Sequence, residues 1–114
     1  MKLLDHLCAW LLVILGALHV VVMFTVFRQV TFSALWFFAA GLFIILAGLV
    51  NAVRAQGGRG TPLFRLTAIF TNCAVIAMGL IAMYLSVGAL WRNPQVPAIF
   101  ALGVAELLFT LRGR

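Results

Sequence analysis

Residues 7–27 read LCAWLLVILGALHVVVMFTVF, a run of 21 residues without an acidic residue, a lysine or an arginine. A bilayer core about 30 Å thick is crossed by roughly 20 apolar residues in α-helical form, so this run is long enough to span one. Three more predominantly apolar runs follow, at 33–54, 63–87 and 96–111. In lipid the backbone amides of each segment must be satisfied internally, which excludes open strands. Unbroken apolar runs also lack the in–out alternation of a membrane barrel. The sequence therefore predicts an all-α polytopic membrane protein, a single domain over 1–114 with four transmembrane helices in an up-down bundle.

Composition supports this reading. Hydrophobic residues make up 66% of the 114 and charged residues 9%, against roughly 45–50% and about 25% in soluble domains. A small soluble protein has a large surface to cover with polar groups, and this chain lacks them. A soluble enzyme, a disordered tail and a disulfide scaffold are all excluded. The net charge of +6 comes from basic residues scattered singly between apolar runs. They form no dense basic face, so no nucleic-acid partner is expected. Cys8 and Cys73 lie in apolar runs with no CxxC spacing, and read as small packed thiols rather than a redox or metal pair. Lys2 gives the first segment a basic start, but its apolar run is too long for a signal peptide and no A-x-A site follows. It reads as helix one.

Basic residues also predict orientation. With four spans, Lys2, Arg54, Arg59, Arg65, Arg112 and Arg114 share one side, and Arg28 and Arg92 the other. By the positive-inside rule both termini are expected in the cytoplasm. Chain length and this bias suggest a bacterial inner membrane. Trp36, Tyr84 and Trp91 then fall near the outer interface and Trp10 near the inner one, as anchors of an aromatic belt. The 56–62 segment, rich in Gly and closed by Pro62, reads as a flexible cytoplasmic connector.

Helices in lipid associate through close packing and hydrogen bonds, so inward faces favour small residues. Steps of three and four give Asp5, Ala9, Leu12, Gly16, His19 and Met23 in the first helix. The second gives Ala34, Phe37, Gly41, Ile44, Gly48, Asn51 and Ala55. The third gives Ala68, Asn72, Val75, Gly79, Ala82 and Ser86, and the fourth Gly103, Glu106, Thr110 and Gly113. Each helix thus carries its strongest polar residue on a stripe with Gly or Ala. Glu106, His19, Asn72 and Asn51 are the candidate interior polar, ligand or proton-site residues. Gly16, Gly41, Gly48, Gly79, Ala82 and Gly103 are the candidate packing positions. By helix rise, Asn51, Glu106 and Asn72 can share one layer in the cytoplasmic half, with His19 above it.

Glu106 is the only acid well inside a span. A charged acid at a helix centre costs about 2.5–3.5 kcal/mol on insertion scales measured for Asp. The expectation is a neutral acid donating to Asn72 or Asn51, or an acid paired with an arginine. Arg112 lies near the opposite face of the same helix and does not suit that pairing. Such a residue marks either a proton or cation site or an interhelical clamp. His19 could pack, relay protons or ligate haem. His6 lies at the membrane edge, off the His19 stripe, so the two cannot hold one iron within a subunit. Haem or quinone binding centred on His19 is thus a minor alternative; otherwise no cofactor and no metal is expected.

No HExxH, GxxxxGK or GxGxxG occurs, and the acids do not supply a Ser–His–Asp set, so no catalytic role is predicted. Size, helix count and a lone membrane Glu resemble the small multidrug-resistance transporters. Their essential Glu, however, lies in the first helix, which has none here, and their dual-topology members lack this basic bias. No family assignment follows. The leading expectation is a non-catalytic accessory or structural subunit, packing with a membrane partner or itself. The alternative is a homodimeric transporter using Glu106. Both place the chain in the lipid bilayer as a homo-oligomer or part of a larger complex.

Overall fold

Helix α1 covers Lys2–Val26, α2 Phe32–Ala55, α3 Pro62–Leu85 and α4 Gln95–Arg112. They were located in a computed structural model that describes residues 2–57 and 60–113. Each is long and apolar enough to cross a membrane, and no strand occurs among the described residues. The bundle is 44 Å long, matching a bilayer of about 40–45 Å with its headgroup regions. The chain is an integral membrane protein.

Local chemistry sets the helix ends. Thr31 caps α2, its hydroxyl accepting from the Ala34 amide at 3.2 Å. Thr61 does the same for α3 through the Phe64 amide at 3.3 Å, and Pro62 occupies the first turn, where an N–H is dispensable. Gly57 follows the end of α2 with φ of +96°, a left-handed conformation that glycine adopts without a Cβ penalty. Two boundaries differ from the expected ones. Helix α1 begins at Lys2 rather than near residue 7, since nothing in residues 2–6 breaks a helix. Helix α3 stops at Leu85, and a 3₁₀ helix, Val87–Arg92, leads to Pro94. The chain there tightens into three-residue turns before the proline, where only a plain turn was expected. Arg59 and Arg114, counted above toward orientation, lie outside the described residues, as does part of the 56–62 connector.

The helices stand in a ring in chain order, α1 beside α2 and α4, and α3 beside α2 and α4. The core is thin: Leu12, Ile44, Val75, Ile99 and Ala47 meet at its centre. The α1–α2 seam is the closest. A Cβ on Gly16 would lie 2.7 Å from the Ile45 amide nitrogen and 2.9 Å from the Gly41 carbonyl oxygen. One on Gly48 would lie 2.8 Å from the Val13 nitrogen and 2.9 Å from the Ala9 oxygen. Backbone meets backbone here, as small residues allow between membrane helices. Across α3–α4 the approach is looser. Gly79 faces Phe100 and Gly103 faces Val75, each with an added Cβ at 3.0 Å from a side-chain atom. Ala82 is only partly buried.

Candidate functional site: a buried polar network at the basic end

Helices α1 and α3 begin, and α2 and α4 end, at the same end of the bundle, which carries Lys2, Arg54, Arg65 and Arg112. Just inside this end, Arg54 reaches inward from the last turns of α2. Its Nη1 donates to Asp5 Oδ2 at 3.0 Å, and its Nη2 donates to Asp5 Oδ1. The same Nη2 donates to Glu106 Oε2 at 2.8 Å, and Nε donates to Asn51 Oδ1 at 3.3 Å. One guanidinium thus bridges a carboxylate on α1, a carboxylate on α4 and an amide on its own helix. The planar fork of Arg suits such two-sided pairing in a way that a lysine would not.

A second layer lies deeper. Asn51 Nδ2 donates to Asn72 Oδ1 at 2.6 Å, and Asn72 Nδ2 donates to Asn51 Oδ1 at 3.1 Å. This reciprocal amide pair joins α2 to α3. Asn51 Nδ2 also donates to the Ala47 carbonyl at 2.9 Å, and Asn72 Nδ2 to Thr110 Oγ1 on α4 at 3.3 Å. Thr110 in turn donates to the Glu106 carbonyl at 2.7 Å. Asn51, Asn72 and Glu106 are fully buried. All four helices are tied into one connected set of polar side chains.

Glu106 pairs with Arg54 and not with either asparagine, so of the two arrangements expected the pairing with an arginine is the one present. The physical reason is reach: Arg54 sits one turn nearer the membrane edge, and its long side chain extends inward to the acid. The sequence reading uses Arg54 only toward orientation and Asp5 only as a member of the first helix's stripe. Their signal was available in part, since Asp5 shares the Ala9–Gly16 stripe and Arg54 follows Asn51 by three residues.

One polar atom in the network is left over. Glu106 Oε1 is buried and has no hydrogen-bond partner among the described residues. Buried polar atoms are nearly always paired, so an exception calls for a reason. As ionised groups, Asp5 and Glu106 outnumber Arg54 by one charge. Among the described residues no three His, Cys, Asp or Glu side chains come together as a metal site would need.

His19 lies apart from this network. Its ring is half-buried and stacks on Phe37 of α2, with centroids 3.7 Å apart and planes at 15°. Its Nδ1 is buried without a hydrogen-bond partner among the described residues. Phe37 covers one face of the imidazole. His6 is engaged near the start of α1, where Trp10 Nε1 donates to its Nε2 at 3.2 Å.

Replacing Asn72 with Ala removes both cross-helix amide bonds and leaves Asn51 half-paired. Polar contacts between membrane helices are worth about 0.6 kcal/mol on average and about 1.7 at most. N72A should therefore lose about 1–2 kcal/mol, read from unfolding in detergent, and N51A a similar amount. A double variant costing no more than either single would confirm that they act as one pair.

Compared with known protein families, curated proteins and solved structures, the chain matches none of them.

Proposed function

We propose that this protein is a non-catalytic accessory or structural subunit of the membrane, whose buried network holds four short helices in one arrangement for packing against a partner or a second copy. The observation that carries this reading is the internal pairing of Arg54, Asp5, Asn51, Asn72 and Thr110. These side chains are engaged with one another across all four helices, which is what a clamp requires. The bacterial inner membrane with both termini in the cytoplasm fits the concentration of basic residues at one end. The test is the mass of the protein extracted gently in its native lipid. A homo-oligomer or a stoichiometric complex is expected, and a lone monomer overturns the reading.

One observation favours a second reading, a small homodimeric transporter coupled to protons. It is the unpartnered Glu106 Oε1 beside a network with one excess negative charge. On this reading, reconstituted wild type moves a cationic or apolar substrate against a proton gradient, and E106Q abolishes the coupling. Equal coupled flux in wild type and E106Q removes Glu106 from any transport mechanism. A haem or quinone role centred on His19 has less support, because the other histidine, His6, lies thirteen residues away on the same helix and accepts from Trp10. Haem-reconstituted protein that stays colourless excludes the haem version.

A further inference from the structure

The basic end of the bundle opens into a hollow of about 820 Å³, within the size range of small-molecule sites. Its floor holds Asp5 and Arg54. The Arg54 guanidinium is taken up by Asp5 and Glu106 together, so it offers no free charge to a ligand. Among the described residues that line the hollow, the cations left to meet a ligand are Lys2 and Arg65. Both are exposed, and neither has an ion-pair partner among the described residues. Lys2 begins α1 and Arg65 lies in the first turn of α3, so both sit at the level where the bilayer core gives way to headgroups. The rest of the wall is apolar: Phe64, Leu66, Ile69 and Phe109 line the same hollow. A cationic rim above an apolar wall, at headgroup depth, matches an amphipathic anion and is poorly matched to a free polar one.

We infer that this hollow binds the phosphate headgroup of an anionic phospholipid, with Lys2 and Arg65 on the phosphate and the upper acyl carbons against Leu66, Ile69 and Phe109. Basic pockets between membrane helices take anionic headgroups in this way. The inference is independent of the subunit reading, since a lipid can be held by a monomer, an oligomer or a transporter alike.

The test is native mass spectrometry of the protein in detergent, titrated with phosphatidylglycerol or phosphatidylcholine. Wild type should retain phosphatidylglycerol in preference to phosphatidylcholine. In K2Q/R65Q the affinity for phosphatidylglycerol should fall by roughly thirty-fold, from the usual contribution of each basic residue near an anionic surface. K2R/R65K, which keeps both charges, should bind like wild type. R28Q/R92Q, altered at the opposite end, should also bind like wild type. Equal retention of the two lipids overturns the inference, as does an unchanged affinity in K2Q/R65Q. Displacement of phosphatidylglycerol by millimolar inorganic phosphate overturns the lipid as ligand and assigns the hollow to free phosphate.

Discussion

Substituting Arg54 by Met lowers the unfolding free energy by about 3–5 kcal/mol, the usual cost of removing one partner from a buried ion pair. The side chains of Arg54, Asp5 and Glu106 are 13%, 15% and 0% exposed, so solvent screening does little to soften the loss. R54M leaves two carboxylates facing each other without the cation that both contact, and it strips Asn51 of its Nε donor. The measurement is denaturant unfolding in detergent, followed by tryptophan fluorescence. Recovery is the sharper half of the prediction. Adding D5N and E106Q to R54M removes both stranded charges and should restore most of the stability, because neutral replacement of a whole buried cluster is often nearly costless. A surface arginine that served only to orient the chain would cost within about 0.5 kcal/mol when changed. That result for R54M would mean the network does not clamp the bundle.

Adding one methyl group at Gly16 is expected to destabilise the protein by about 2 kcal/mol. Its Cβ would fall 2.7 Å from the Ile45 nitrogen and 2.9 Å from the Gly41 oxygen, and backbone atoms cannot turn aside as side chains do. Helices α1 and α2 must part along their seam, an overpacking cost of about 1–3 kcal/mol or more. The helix-propensity gain of Ala over Gly, about 1 kcal/mol, offsets part of it. Gly103 provides the control. There the nearest atom is Val75 Cγ1 at 3.0 Å, a side-chain methyl that can shift by a few tenths of an ångström. G103A should therefore change stability by less than about 1 kcal/mol. Thermal unfolding of both variants in the same detergent checks the contrast. Equal losses would show that the α1–α2 crossing is no tighter than the α3–α4 one.

The four spans could be read from the chain because lipid imposes a length and a composition on any segment that crosses it, and that demand is local. The stripes of Gly, Ala and polar residues were legible for a similar reason. Helical periodicity places residues three and four apart on one face wherever the helix later packs. Asn51, Asn72 and Glu106 could be named as candidates on that basis. Local rules carried less weight at the ends of segments. The stop of α3 at Leu85 and the 3₁₀ turn after it depend on how the chain reaches α4.

Pairing is another matter. Arg54 meets Asp5 across 49 residues of sequence and Glu106 across 52. Nothing in the composition of α1 or α4 says which of several basic residues will reach either acid. That choice follows from the ring order of the helices and from the depth at which each side chain enters, and both exist only once the bundle has formed. Hydrophobic content and periodicity decided that this chain crosses a membrane as four helices and which faces suit its interior, because those are properties of single segments in a solvent. The ion network, the amide pair between α2 and α3 and the basic mouth above them arose from packing, because each is built by residues that only the closed bundle brings within bonding distance.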